Sequence, residues 1–525
     1  MVDGSGIAVH RDAGRQIVQT VFERLGWRTP LLAAALILGT IGRLSYSWNA
    51  PFWFDETFSG AIATQPSFAA LVDWCLHELT GPAFYMPLWL WAKIAGSSDF
   101  GLRLPSLLLS IAAPVLILWK GNADRDLRMW WAIFVLLWVP IFVVAGEARP
   151  YPQMFLLGVV QAILFVRLLD RPTTARASAW VATSALLILT QYWGVVPCLV
   201  QGIAYLGYHR ARAVATWPAA LLLLPMFGWA YFHLPAVLLF TVGNDLSSVG
   251  LPLSSVLDIP AMLLGVSFSA RIVLAAVMGS IAIVVARGHG GMLRLDPVAM
   301  LVLCGVLSAV LALVIAFAKP GFQPRHLTPL MPSFLFGLAV WARWMMVHDP
   351  RPVIAAMAMM VATAVGLLLS IFTDAERDPR HIFNLEQPSA WLTEQQPRRL
   401  VMFWDGPVGS ATSSAHLDQI GGFFLRRAGH AVTVRVARAA ADQDPNRVVL
   451  GHARGASAIL WVANDELPDR RTPRIERYDP RFECRDFGEG LLTMTACRPR
   501  AKTNGGETNM AFSPPVRPAR SAHAP

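Results

Sequence analysis

Charged side chains are scarce in this sequence: Asp, Glu, Lys and Arg make up 15% of its 525 residues, whereas 55% are hydrophobic. That balance excludes an ordinary soluble domain. Cysteine is also scarce, at five, and no spacing suggests a zinc site. Cys198 and Cys304 lie in apolar runs and read as small hydrophobes. Cys484 and Cys497 fall in a region read as exported, where an oxidising compartment would permit a bridge without requiring one. No carboxylate cluster has firm metal spacing, so no metal or other cofactor is assigned. Internal repeats are missing, and no small-residue cleavage site follows the first apolar run, which is therefore expected to remain as an anchor. The net charge of +10 is spread over many loops and not gathered into one stripe, so it is no argument for a nucleic-acid partner.

Long apolar runs are abundant. They predict an all-α polytopic membrane bundle of about eleven spans: 29–47, 98–119, 129–147, 151–169, 178–191, 193–208, 214–233, 271–287, 297–318, 327–347 and 353–372. Cations fall at alternate ends of these runs. Arg11, Arg15, Arg24 and Arg28 precede the first, and Lys120, Arg125, Arg128, Arg167, Arg171, Arg176, Arg210, Arg212, Arg287, Arg294, Arg343 and Arg351 recur at every second loop. The positive-inside rule then makes residues 1–28 a cytoplasmic segment and places Asp55, Glu56 and the C-terminal region outside.

Two regions break the pattern. Residues 48–97 hold Trp48, Trp53, Trp74, Trp89 and Trp91 among several prolines, which predicts short helices lying along the outer surface, with 241–270 as a second such segment. After the transmembrane domain, 29–372, the runs 399–404, 431–437 and 457–464 are β-rich and alternate with helix-like stretches at 413–427 and 443–453. A small exported α/β domain over 373–498 is expected, ending in a strand pair that carries Cys484 and Cys497. Its first strand is followed by no Gly-rich dinucleotide fingerprint. The Pro-, Ala- and Arg-rich 499–525 reads as a disordered tail.

The candidate chemistry begins with Asp55-Glu56, just after the first span. Ionisable groups at the membrane edge are functional candidates by default. Adjacent side chains diverge by about 100° on a helix, so the two acids are expected to differ in role; the plain alternative is an acidic helix start. Arg103, Arg149 and Arg325 lie at the outer ends of spans, with Lys319 and His326 near the last. Each suits either a phosphate contact or a structural ion pair. His326 reads as a polar residue at a helix start, and Tyr151 and Tyr192 suit sugar stacking or interfacial anchoring.

The order of FWFDETFSG, a Pro-Phe-Tyr-type segment, GSSDFGLRLPS, ARPY and QPRHLTPLMP resembles the GT-C superfamily of integral-membrane glycosyltransferases. The most similar branch is the bacterial group related to protein O-mannosyltransferases and lipid A aminoarabinose transferases, and the resemblance covers roughly 30–350. It implies a polyprenyl-phosphate-sugar donor and a lipid, glycan or protein acceptor approaching from the outer face. It further implies Asp55 as general base, Glu56 as its companion acid, and Arg103, Arg149 and Arg325 on the donor phosphate. Tyr85, Tyr151, Tyr192 and His326 would line the substrate site. One departure stands out: where relatives carry His-Pro-Pro-Leu-Tyr-Tyr, this chain has Thr80-Gly81-Pro82-Ala83-Phe84-Tyr85, with His77 a helical turn away. A flippase for lipid-linked sugars is the alternative, but it would favour charges near the bilayer midplane and repeated halves.

Overall fold

The computed structural model describes residues 26, 28–45, 51–243, 296–318, 324–373, 384–394, 398–405, 414–438, 457–464, 475–477, 479–487 and 492–500. The expected span 271–287, residues 244–270 of the second surface segment, Lys319, the stretch 443–453 and the tail beyond 500 lie outside them. The helices run, in order, α1 Arg28–Ser45, α2 Phe54–Ala63, α3 Phe68–Cys75, α4 Pro82–Ala95, α5 Asp99–Lys120, α6 Arg125–Leu137 and α7 Pro140–Ala145. They continue as α8 Tyr151–Asp170, α9 Thr174–Thr190, α10 Val195–His209, α11 Ala211–Val214 and α12 Leu224–Gly243. After the undescribed segment come α13 Pro297–Ala318, α14 Met331–His348, α15 Arg351–Thr373 and α16 Glu386–Thr393. Among the described residues, five helical stretches are long and apolar enough to cross a membrane.

The bundle core forms where α6 packs on α14 and α1, α5 on α8, α8 on α9, and α13 on α10 and α14. Its interior is almost wholly apolar, from Trp131 and Phe134 through Phe155 and Phe165 to Leu335 and Phe336. One exception explains a break in the third expected span. The chain leaves the helix at Trp138, and Pro140, which has no N–H, starts α7. The carbonyls of Val135 and Leu136 accept instead from the buried Arg43 guanidinium at 2.9 Å each, while Arg43 Nε donates to Ser110 Oγ at 2.8 Å. A buried charge saturated in this way seals an open helix end where water cannot. The contact needs glycine at position 39: a Cβ there would sit 2.6 Å from the Leu136 oxygen.

The tail domain is α/β, as expected. Strand β1 Arg399–Asp405 is followed by α17 Ser414–Gly421, α18 Phe423–Arg427, β2 Thr433–Arg438, β3 Ala458–Asn464, β4 Phe482–Phe487 and β5 Leu492–Pro499. The strand order is β2-β1-β3-β5-β4, parallel on both sides of β1 and antiparallel from β3 onward. Cys484 and Cys497 face each other across the β4–β5 pair and are joined by a disulfide. The two-residue period divides β1 cleanly: Leu400 and Met402 turn to one face, Val401 and Phe403 to the other.

The first of those faces is not closed by the tail domain alone. Leu400, Met402, Leu417, Phe423, Leu460 and Met494 share one apolar core with Phe52, Ile62, Trp74, Phe84 and Leu102 of the first loop and α5. Tail and surface helices are therefore one packed unit.

Candidate active site

The expected short helices of 48–97 are α2, α3 and α4, and α2 carries the acidic pair in its first turn. Glu56 is the residue that starts the helix: its Oε2 accepts from the Trp53 N–H at 3.3 Å, three residues back. It is also completely buried. Arg103 Nε donates to Glu56 Oε1 at 2.7 Å and Arg103 Nη2 to Oε2, while the Ala148 N–H donates to Oε1 at 2.7 Å. Arg103 Nη2 also reaches the Pro51 carbonyl at 2.9 Å. Glu56 thus joins α2, α5 and the turn before α8 in one dry ion pair. Both of its oxygens are engaged.

Asp55, one residue earlier, points elsewhere, as the helical divergence requires. Its side chain is 25% exposed and its Oδ2 lies 2.9 Å from Arg325 Nη2. Arg325 sits in the 3₁₀ turn Pro324–Leu327 before α14, and its guanidinium lies 5.2 Å from the Trp53 ring centre and 5.5 Å from that of Tyr151. Aromatic faces hold a guanidinium without using its N–H donors. Arg325 Nε is buried with no hydrogen-bond partner among the described residues.

Arg149 forms the second wall. Its Nη1 donates to the Asp55 carbonyl at 3.2 Å and approaches the Tyr85 hydroxyl at 3.4 Å and Glu78 Oε1 at 3.5 Å. Its Nε, like that of Arg325, is buried and unpartnered. The Tyr85 hydroxyl donates to Glu78 Oε1 at 3.3 Å; burial first, then the Glu78 charge, hold it well above its ordinary pKa, so it remains a donor.

His326 stacks on Trp193, rings 5.1 Å apart and 11° from parallel. Burial pushes its pKa down to about 3, and the Arg325 charge adds to the effect. Such a group is neutral and a poor proton acceptor near pH 7. Tyr192, in the turn Tyr192–Gly194, bonds His233 Nδ1 at 2.8 Å, and burial raises its hydroxyl to about 12.

The structure thus brings Asp55, Arg149, Arg325, Tyr85 and Tyr151 together, with His326 beside Arg325 in sequence and Tyr192 bonded to His233. It sets Glu56 and Arg103 apart, buried and occupied with each other. Sequence reasoning assigned no role to Glu78, to His233 or to the rings of Trp53 and Trp193. Glu78 appeared only as one more acid in the loop, and nothing local marked it as the partner of Arg149.

Position 81 has no room for a side chain. Thr80 and Gln191 pair as an isolated antiparallel bridge, and the Gly81 N–H donates to the Thr190 carbonyl at 2.9 Å. A Cβ at position 81 would lie 1.9 Å from the Leu189 oxygen. No side chain fits there with this backbone.

The tail domain braces the same site. Asp99 Oδ2 accepts from the Phe52 N–H at 3.1 Å, while its Oδ1 pairs with Arg427 of α18, whose guanidinium lies over the rings of Phe52, Phe423 and Phe424.

No family model and no curated protein matches the chain. Solved structures do. ArnT from Cupriavidus metallidurans in the apo state is 13% identical, with a TM-score of 0.53 over 90% of this chain and 98% of that one. The same protein bound to undecaprenyl phosphate is 13% identical, with a TM-score of 0.52 over 92% and 99%. The likeness runs through both bundle and tail domain, and the chain has the GT-C fold that its motifs led one to expect, an all-α polytopic membrane bundle with a C-terminal α/β region.

Proposed function

We propose that this chain is a membrane glycosyltransferase that moves a sugar from a polyprenyl-phosphate donor to an acceptor hydroxyl. The observation that carries the reading is Asp55: a partly exposed carboxylate held by one arginine, Arg325, with a second, Arg149, on its own backbone. Both arginines keep a buried Nε without a partner, as expected of cations that take up an anion. Undecaprenyl phosphate bound to ArnT, which shares this fold, makes a polyprenyl phosphate the natural anion.

In the proposed reaction the donor phosphate draws Arg325 away from Asp55, freeing the carboxylate. Asp55 takes the acceptor O–H proton as the acceptor oxygen attacks the anomeric carbon, and the carbon–phosphate oxygen bond breaks with inversion. Negative charge grows on the departing phosphate, and Arg149 and Arg325 stabilise it most in the transition state. Tyr85 and Glu78 hold Arg149 in position; Tyr151 and Trp53 do so for Arg325. Glu56 and Arg103 support the turn that presents Asp55, without touching substrate. Tyr192 and His326 border the sugar side. The site faces the outer side of the inner membrane, with the N-terminus cytoplasmic, because the cation-rich loops lie at the other ends of the spans.

The test is transfer of label from radiolabelled polyprenyl-phosphate sugars to a crude envelope acceptor fraction by the purified chain. Asp55→Asn keeps the shape and removes the base, and it is expected to lower transfer about 10²- to 10⁴-fold. Full activity in that variant rejects the mechanism. Movement of labelled lipid across vesicles without transfer would favour a flippase.

A further inference from the structure

The first loop and the tail domain meet at a group that the proposed reaction does not use. Asp73 and His77 lie near the end of α3 and just beyond it, four residues apart on one helical face. His416, on α17, comes from 343 positions after Asp73 and places its Nε2 3.0 Å from Asp73 Oδ2. One nitrogen from each imidazole and one Asp73 oxygen all lie within 4.8 Å of one another.

The surroundings are those of a built site. His416 is buried and its ring lies 4.2 Å from that of Trp74. Trp74 Nε1 is in turn held by Gln419 Oε1 at 2.7 Å, and Gln65 Nε2 reaches the same oxygen at 2.6 Å. The histidine therefore comes from a locked interface. His77 lies with its Nδ1 2.7 Å from the Asp73 carbonyl. A ligating histidine ordinarily makes such a contact through its second nitrogen, and it fixes the tautomer so that Nε2 offers a lone pair. Asp73 is 60% exposed, which leaves room for water as a further ligand.

From this geometry we infer that Asp73, His77 and His416 bind one divalent transition ion of the zinc class, pinning the tail domain to the surface helices. Two imidazoles and a carboxylate form a borderline donor set that favours zinc over magnesium or calcium. Bond lengths of about 2.0–2.2 Å would draw the three groups closer by small side-chain rotations. The staple would act at one point of the core shared by α2, α3 and the sheet, and next to Glu78, which follows His77 directly.

The experiment uses the full chain in detergent, stripped with a chelator and titrated with ZnCl₂ alone. One equivalent per chain is expected, with a rise in thermal midpoint that the chelator reverses. Co²⁺ is expected to give a visible d–d band. His416→Gln removes the buried ligand; His77→Gln removes a half-buried one. Either is expected to weaken zinc binding at least about tenfold. Substoichiometric zinc in the unaltered chain, or zinc bound as tightly by the two variants as by the unaltered chain, overturns the inference and leaves three groups joined by hydrogen bonds.

Discussion

Two arginine–carboxylate pairs sit one residue apart in this molecule, and their environments divide the work. Glu56 with Arg103 is dry, 0% and 1% exposed at the side chains, and its hydrogen bonds run between the partners and to the backbone of Pro51, Trp53 and Ala148. Asp55 with Arg325 is open, 25% and 23% exposed, joined at one oxygen and flanked by a cation with a donor to spare. A charge pair closed on itself holds structure, because removing either member strands the other in a low-dielectric interior. A pair that water can reach separates cheaply, so a substrate anion can replace one member. Chemistry at this site depends less on which acids are present than on which of them stays wet.

The sharpest break in that contrast is expected from the dry pair. Glu56→Gln or Arg103→Ala should cost about 3–5 kcal/mol, enough to remove most of a marginal fold's stability. Size-exclusion profile and thermal midpoint in detergent would show it. Asp55→Asn should leave both nearly unchanged while lowering transfer about 10²- to 10⁴-fold. Equal midpoints for the Glu56 and Asp55 variants would undo the distinction.

A smaller effect is expected at Gly81, which brings the chain against α9 four residues before Tyr85. Gly81→Ala should force the Leu189 carbonyl aside at a cost of about 1–3 kcal/mol, lowering the midpoint and, through Tyr85 and Arg149, the transfer rate. An alanine variant of wild-type stability would show that the close approach is not required.

A further effect concerns pH. Burial, and then the Arg325 charge, push His326 from its ordinary 6.5 down to about 3 in the folded chain, so the unfolded chain binds the proton more tightly. Its neutral form adds stability that is complete above pH 6.5 and is lost as pH falls toward 3. Comparing thermal midpoints between pH 6.5 and about 4 should show a steeper decline for the unaltered chain than for His326→Gln. Parallel curves would mean that the ring is not held neutral by its surroundings.

Much of the architecture was legible along the chain. Apolar run length located most of the long helices from Arg28–Ser45 to Arg351–Thr373, but the expected span 214–233 is a 3₁₀ turn, Trp217–Leu223, followed by a helix that runs on to Gly243. Short β-rich runs located β1, β2 and β3 within a residue or two. These signals are local, because a helix repeats over three or four residues and a strand over two. The break at Trp138 was not legible: the apolar run continues through it, and only Arg43, arriving from α1, makes the open carbonyls tolerable. Nor was the shared core of the tail domain, since an apolar strand face does not say what covers it.

The inventory of the site, its acids, arginines and tyrosines, was determined by the sequence alone, because motif order and membrane-edge position suffice to nominate ionisable groups. Their pairing was decided by the tertiary structure. Glu56 meets Arg103 across 47 positions, Asp55 meets Arg325 across 270, and Asp73 meets His416 across 343. Electrostatic attraction and desolvation act through space, not along the chain. Which of two neighbouring carboxylates is buried was therefore settled by the helices that packed around it.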